Sequence, residues 1–200
     1  MKTMKALLWT SFLLGLFFLQ GCVVFRFVET RVTLSPDNSP AKMVITYDDL
    51  SSDEDEIQDV RKDFEELLKG WHGDKYLVER ADEGVLVQDR EVYIEDGKIM
   101  ARESGILKDL NDTYAFWVSN GERLMMFDDS GGDYELVESN GQVLKTKENT
   151  LIVWPDDAKE LYWKQRLTED SESFEKNRPL MVKWLKEYLA SQAKTAEAQD

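Results

Sequence analysis

Residues 92–99, VYIEDGKI, carry the signal that decides the fold of this chain. Apolar and polar residues alternate on both sides of Asp96-Gly97, a pair typical of tight hairpin turns because both turn positions need positive φ. The same punctuation returns at Asn120-Gly121, Gly131-Gly132 and Asn140-Gly141. The sequence therefore predicts an antiparallel meander of hairpins between Val85 and Trp154. Its predicted inward residues are Val85, Val87, Ile94, Ile99, Tyr114, Phe116, Val118, Leu124, Met126, Leu136, Leu144 and Ile152.

Two strands are predicted before this meander. The segment 24–34 is rich in β-branched and aromatic residues, and Val28, Val32 and Leu34 fall on one face of a strand. Turn residues between positions 36 and 40 separate it from a second run, 43–47. We expect these two runs to pair as a hairpin.

Helices are predicted on both sides of the meander. Ser52 precedes four acidic residues, which suits a helix start where a hydroxyl caps free N–H groups and carboxylates face the positive dipole end. An apolar stripe follows at helical spacing and is ended by Gly70 or Gly73. Pro179 suits the first turn of a closing helix. The two apolar faces consist of Ile57, Val60, Phe64, Leu67, Leu68 and Trp71, and of Met181, Trp184, Leu185, Tyr188 and Leu189.

These elements predict one α+β domain: a curved antiparallel sheet with one amphipathic helix after the second strand and a C-terminal helix. The alternative is a closed β-barrel with helices. The segment Leu161–Leu167 alternates like a strand but has a composition that also suits a helix, so it stays open. The domain is expected to span 22–193, followed by a flexible tail at 194–200.

The N-terminus has the pattern of an export signal. Lys2 and Lys5 precede an uncharged apolar run from Ala6 to Leu19. A membrane-spanning helix needs about 20 apolar residues, whereas the apolar part of an export signal needs roughly 7–15. The run ends at Leu19-Gln20-Gly21-Cys22 instead of a small-x-small cleavage site. Residues 1–21 are therefore predicted to be a signal peptide that is removed.

The sequence Leu19-Gln20-Gly21-Cys22 resembles the lipobox of bacterial lipoproteins. The resemblance implies that Leu19 and Gly21 are recognised by the signal peptidase. It also implies that Cys22 becomes an S-diacylglyceryl, N-acyl cysteine carrying chains such as palmitate. Cys22 is the only cysteine in 200 residues, so it has no disulfide partner within the chain. Val23 in place of Asp after this cysteine resembles lipoproteins sent to the outer membrane, facing the periplasm, in hosts with two membranes.

The excess of acidic over basic residues limits the kinds of partner that the sequence predicts. The chain has a formal net charge of −15 and no cluster of Lys and Arg, which argues against nucleic acid as a partner. The lipid bilayer is expected to be contacted through the acyl chains of Cys22 rather than through a basic patch. Since no Ser/Gly-rich tether follows Cys22, the domain is expected to lie close to the membrane.

Candidate chemistry is sparse. His72 is the only histidine, which excludes multi-histidine metal sites and favours a helix-terminal role over a catalytic one. The Gly-x-Ser-x-Gly elbow and the phosphate-binding Gly-x-x-x-x-Gly-Lys-Ser/Thr loop do not occur in the sequence. The segment 128–133 looks like a calcium loop, but its spacing departs from an EF-hand and Ser139 stands at the twelfth position. A divalent-cation site between Asp48 and Glu56 is weaker than a solvated helix start. No catalytic residue, cofactor or metal is predicted.

The predicted function is a non-enzymatic, membrane-anchored envelope lipoprotein that binds a protein partner or supports an assembly. The alternative is a periplasm-facing carrier of a small apolar or lipid ligand. A hydrolase using His72 or paired carboxylates comes third, because neither catalytic motif named above occurs. It stays open, since paired carboxylates leave no local sequence signature. The aromatic residues are expected to pack in the core rather than line a groove; they are Trp71, Trp117, Trp154, Trp163, Trp184 and Tyr188.

Overall fold

A computed structural model describes residues 23–35, 40–108, 110, 116–128, 134–146, 149–167 and 171–197. They form ten strands and three helices. The strands are β1 Val23–Thr33, β2 Ala41–Ser52, β3 Val85–Glu95, β4 Lys98–Leu107, β5 Phe116–Ser119, β6 Glu122–Asp128, β7 Tyr134–Ser139, β8 Gln142–Lys145, β9 Asn149–Pro155 and β10 Glu160–Leu167. The helices are α1 Ile57–His72, α2 Asp74–Asp82 and α3 Glu172–Glu197.

The strands form two antiparallel sheets. The larger sheet has the order β3-β4-β2-β1-β10-β7, and the smaller sheet has the order β5-β6-β9-β8. Both sheets are open at their edge strands, so the closed-barrel alternative is wrong for the part of the chain that the structure describes. The predicted α+β class, with antiparallel sheets and a C-terminal helix, is confirmed.

Two of the predicted hairpins are confirmed by their turns. Asp96 and Gly97 join β3 to β4 with φ values of 49° and 76°, and Asn120 and Gly121 join β5 to β6 with φ values of 54° and 77°. Asn and Asp tolerate this left-handed region better than other side chains, and Gly enters it freely. The first two strands also pair antiparallel as expected. Gly131-Gly132 lies outside the described residues.

The hairpin predicted at Asn140-Gly141 is wrong. These residues join β7, at the edge of the larger sheet, to β8, at the edge of the smaller sheet. Neither residue has the positive φ that the tight hairpin turns at Asp96-Gly97 and Asn120-Gly121 show. The chain therefore turns a corner between two sheets at this point, as strands do in orthogonally packed sheets.

One face of the larger sheet holds the core. Directly opposed residues on its strands share a face, and this face includes Val28 on β1, Tyr47 on β2 and Trp163 on β10. The ring of Tyr47 meets Trp71 of α1 at 5.9 Å, and Trp163 meets Trp154 of the smaller sheet at 6.3 Å. The helix α1 and the smaller sheet thus cover different parts of this face of the larger sheet.

The predicted cap of α1 is wrong. Ser52 is the last residue of β2, and α1 begins five residues later with Glu56 at its N-cap position. The Ser52 hydroxyl instead donates to Asp63 Oδ2 at 2.6 Å, where both side chains are buried. A buried carboxylate is costly without such a donor, which explains the different use of this serine. The stripe itself is confirmed, with Val60, Phe64, Leu67 and Trp71 buried, although Ile57 is exposed.

The start predicted for the closing helix is also wrong. α3 begins at Glu172 and contains Pro179 in its interior, which costs a helix about 3 kcal/mol. Contacts in the added turns offset this cost: Phe174 is buried, and the Asn177 amide donates to the carbonyls of Ser52 and Glu54 at 3.1 and 2.7 Å. The helix includes the first residues of the predicted tail, 194–197.

The open segment Leu161–Leu167 is a strand, because it forms β10 with Leu161 and Trp163 fully buried. Three predicted inward residues are exposed instead: Val118, Met126 and Leu144 have 51%, 37% and 43% of their surface accessible. All three lie in the smaller sheet, where alternation alone does not tell which face or edge is covered. Tyr114 lies outside the described residues.

Candidate functional site

The predicted anchor residues Leu19, Gly21 and Cys22 lie outside the described residues. The first residue after them, Val23, is already the first residue of β1. It is 4% exposed and stands opposite Ser52 in the register of β1 and β2. Since adjacent Cα atoms are about 3.8 Å apart, a group on Cys22 is separated from the folded sheet by a single peptide unit. Among the described helices, none is long and apolar enough to cross a membrane.

An ionic cluster fastens the beginning of β1 to α3. Asp49 is fully buried at a bulge of β2 with a φ of 64°, and its Oδ2 accepts a hydrogen bond from Arg178 Nη2 at 2.8 Å. Arg26 of β1 lies 3.9 Å from the same carboxylate and also donates to Glu175. Both guanidinium groups lie over the ring of Phe174, at 5.1 and 5.3 Å. The strand that follows the predicted anchor residue is thereby tied to α3.

The charges of this cluster affect Glu175. The hydrogen bond from Arg26, with the further charge of Arg178, lowers the pKa of the Glu175 carboxyl below its ordinary value of 4.5. Glu175 is therefore ionised at neutral pH and balances the two arginines.

His72 is the last residue of α1 and is exposed. Partial burial and the nearby Arg90 guanidinium lower the pKa of its imidazole below 6.5. Arg90 donates to the backbone carbonyls of His72 and Gly73 at 3.0 and 3.1 Å, and so binds the helix end that the histidine occupies. No serine or carboxylate side chain of the described residues hydrogen-bonds the imidazole. The arrangement gives His72 the helix-terminal place that was predicted.

The acidic segments do not converge. In the described ranges, no group of three or more His, Cys, Asp or Glu side chains is placed to hold a metal ion. Asp48 lies 3.5 Å from Lys98 Nζ, while its neighbour Asp49 binds Arg178. The core of the calcium-like loop, 129–133, lies outside the described residues.

A second polar cluster is buried under α2. Glu103 is fully buried on β4, accepts a hydrogen bond from the Tyr76 hydroxyl, and lies 2.6 Å from Arg80 Nη2. Burial, followed by nearby charges, raises the pKa of Tyr76, so the phenol stays protonated and donates. These three side chains attach α2 to the sheet, and their hydrogen bonds to one another indicate a structural cluster.

Most of the aromatic residues pack in the core as predicted. Trp71, Trp154 and Trp163 are at most 8% exposed, and Trp184 and Tyr188 pack against the core while partly buried. Trp117 belongs to β5, and its side chain lies outside what the structure describes.

The clearest surface feature is the edge strand that the two sheets share. β7 and β8 are separated by Asn140 and Gly141 alone and together form one bent strand, 134–145, which we call the shared edge strand. Asn140 Oδ1 accepts hydrogen bonds from Trp154 Nε1 at 2.7 Å and from the Tyr162 N–H at 2.9 Å. Its amide nitrogen donates to the Glu160 carbonyl at 3.1 Å. One side chain thus links both sheets at the corner.

Gly141 completes this corner because no side chain fits there. A Cβ atom would lie 2.7 Å from Ile152 Cγ2 and 2.8 Å from Trp154 Cε2. The Asn-Gly pair was visible in the sequence, but the side-chain hydrogen bonds that distinguish a corner from a hairpin are long-range. Sequence reasoning therefore found the residues and assigned them the wrong turn.

Three of the exposed large apolar side chains lie on this strand. Val137 of β7 is 49% exposed, and Val143 and Leu144 of β8 are 38% and 43% exposed. All four residues of β8 are exposed. Comparisons with protein-family models, curated proteins and solved structures found no match to this chain.

Proposed function

We propose that this chain is a lipid-anchored bacterial envelope protein without enzymatic activity, whose domain binds a protein partner at the membrane surface. Acylated Cys22 is the anchor, and the residues before it are removed. Val23 after the anchor favours the outer membrane, facing the periplasm, in a host with two membranes.

The observation that carries this proposal is the position of β1. Val23 is buried and paired, so a lipidated Cys22 would attach directly to the sheet without a tether. The Asp49–Arg178 hydrogen bond and the contacts of Arg26 hold this end of the sheet to α3. Two or more acyl chains give stable membrane attachment, whereas one chain gives only marginal binding. The domain would therefore stand on the bilayer with little freedom to reorient.

A partner-binding role is supported by the surface rather than by the interior. Val137, Val143 and Leu144 of the shared edge strand are exposed, and exposed apolar residues on an edge strand are available for pairing with another chain. The carrier and hydrolase alternatives stay predictions. The rings that would line a carrier cavity pack on one another, as Phe25 does on Tyr47 at 5.2 Å and Trp71 on Tyr76 at 5.2 Å.

The anchor is tested by metabolic labelling with a fatty-acid analogue in cells that produce the wild type, Cys22→Ala or the control Ser39→Ala. We expect label in the wild type and the control, and none in Cys22→Ala. Cys22→Ala should also leave the precursor uncleaved, because cleavage follows lipidation in the proteins whose lipobox this sequence resembles. Label that persists in Cys22→Ala would refute the anchor.

A second variant separates anchoring from folding. Insertion of a Gly/Ser linker between Val23 and Val24 would disturb the first pairs of β1, whereas insertion between Cys22 and Val23 should leave the sheet intact and only lengthen the attachment. We expect normal labelling of the latter, with faster cleavage of the domain from membranes by an added protease.

A further inference from the structure

We propose that the outer edge of β8 is the binding site for an extended segment of a partner protein, which pairs with β8 and adds a fifth strand to the smaller sheet. This inference rests on the proposed function only in placing the partner in the envelope. Strand addition of this kind draws affinity from main-chain hydrogen bonds and specificity from alternate side chains.

The register identifies which main-chain groups of β8 pair with no strand among the described residues. The N–H of Thr146 donates to the carbonyl of Asn149 at 2.8 Å, which makes this a hydrogen-bonded pair of an antiparallel ladder. Hydrogen-bonded and non-bonded pairs alternate along such a ladder. In β8, Leu144 therefore directs its main-chain groups toward β9, while Val143 and Lys145 direct theirs away from the sheet. Two residues thus offer N–H and C=O groups to a further strand.

The edges of the larger sheet are less suited to pairing. β7 has a register shift that leaves Val137 without an opposite residue on β10, and β3 has one between Val87 and Asp89. Bulges of this kind are a common protection of edge strands. In the smaller sheet both edge strands, β5 and β8, pair regularly over four residues. All four residues of β8 are exposed, whereas Phe116 of β5 is buried, so β8 offers the more accessible regular edge.

The side chains of β8 indicate the chemistry of the added strand. Val143 stands opposite Ile152 and Leu144 opposite Leu151, so the two exposed side chains lie on opposite faces of the sheet. The exposed Lys145 forms no ion pair with a described residue, in a chain whose acidic residues outnumber basic ones by 40 to 25. A partner strand with apolar residues beside Val143 and Leu144 and a carboxylate beside Lys145 would complement this edge.

A second copy of the chain fits this edge poorly. Antiparallel self-pairing through the free groups, centred on Leu144, would put Lys145 opposite Val143 and leave the lysine without a counter-charge. Each copy also carries a formal charge of −15, which opposes association. The carboxylate-bearing partner strand is therefore the occupant that the observations favour.

The test uses the purified protein and three synthetic peptides of about seven residues, a length typical of strands. In the first peptide valine alternates with threonine and one glutamate; in the second a lysine replaces the glutamate; in the third a central valine of the first is replaced by proline. Affinity is measured by titration, and amide exchange of β8 is followed by NMR. We expect the first peptide to bind and to slow exchange of the Val143 and Lys145 N–H groups, with the proline peptide at least about tenfold weaker.

Two variants make the result specific. Val143→Pro removes one outward N–H without removing a native hydrogen bond, so it should weaken the first peptide about tenfold or more while the fold persists. Lys145→Gln should weaken it about two- to fivefold, and the matched exposed lysine variant Lys42→Gln should not change it.

Three results would overturn the proposal: no binding of the first peptide to the wild type, equal binding to Val143→Pro, or protection of amides elsewhere but not in β8. Tighter binding of the lysine peptide would contradict the chemistry assigned to the partner. Dimerisation that Val143→Pro abolishes would identify a second copy as the occupant and refute the carboxylate-bearing strand. Because these measurements do not involve lipidation, their failure and the failure of the anchor at Cys22 are distinguishable.

Discussion

The two sheets differ in where their charged residues lie and in how regular their edge strands are. The larger sheet buries two carboxylates against side chains of the helices. Glu103 of β4 binds Tyr76 and Arg80 of α2, and Asp49 of β2 binds Arg178 of α3. Both edge strands of this sheet, β3 and β7, contain a bulge. The smaller sheet packs one face on the larger sheet and leaves β8 straight and exposed. This difference indicates that the larger sheet provides stability beside the proposed anchor, and that the smaller sheet provides the free surface.

The largest effect is expected from opening the buried cluster of the larger sheet. Glu103→Ala would leave Arg80 buried without its carboxylate and remove the acceptor of the Tyr76 hydroxyl. Removing one member of a buried ion pair costs about 3–5 kcal/mol of unfolding free energy. Urea denaturation measures this loss.

Two controls sharpen that result. Glu103→Gln keeps an acceptor for Tyr76 and should be less destabilising than Glu103→Ala. Glu91→Ala removes an exposed glutamate from the adjacent β3 and should change the unfolding free energy by less than about 0.5 kcal/mol. If Glu103→Ala is as mild as Glu91→Ala, the cluster does not stabilise the larger sheet.

A smaller loss is expected at the joint between the sheets. Gly141→Ala would place a Cβ atom 2.7 Å from Ile152 Cγ2, and such overpacking costs about 1–3 kcal/mol. The neighbouring Gln142→Ala, at an exposed position, serves as the control. Equal stability of the two variants by urea denaturation would show that the corner has room, contrary to the described packing.

The smallest expected effect is the contribution of Glu175 to the fall of the unfolding free energy at acid pH. Because the folded state lowers the pKa of Glu175, this carboxylate adds stability above its ordinary pKa of 4.5, and the contribution is lost as the pH falls through the lowered value. The pair is exposed, so the effect should stay below about 1 kcal/mol. Glu175→Gln should flatten the fall of unfolding free energy below pH 4.5, whereas Glu172→Gln should not. Identical slopes in both variants would remove the ionic role of Glu175.

Local signals predicted much of the fold. The turns at Asp96-Gly97 and Asn120-Gly121 and the stripe from Val60 to Trp71 depend on residues close in sequence, and all three are confirmed. Failures occurred where a distant residue decided the outcome. Ser52 caps no helix because β2 continues to this residue, where its hydroxyl binds Asp63, and α1 begins only at Ile57. The helix α3 begins before Pro179, where Asn177 binds the carbonyls of Ser52 and Glu54.

The candidate site was less accessible to sequence reasoning than the fold. Whether an exposed valine belongs to a covered or a free edge depends on sheet order, which alternation does not encode. Leu144 was therefore predicted to be an inward residue of a hairpin, and Val143 was not singled out. The anchor at Cys22 stays a prediction, because its pattern is read from the linear chain and precedes the described residues.

The contrast between the bulged edges of the larger sheet and the regular, exposed edge of β8 is tested most directly by residue-specific amide exchange of the purified protein. We predict that the N–H groups of Val143 and Lys145 exchange at least about tenfold faster than those of Leu144 and Thr146, since only the latter two bond to β9. Interior strands of the larger sheet, such as β2, should be the most protected. Equal protection of all four amides of this segment would show that the edge of β8 is already covered, and would contradict the account.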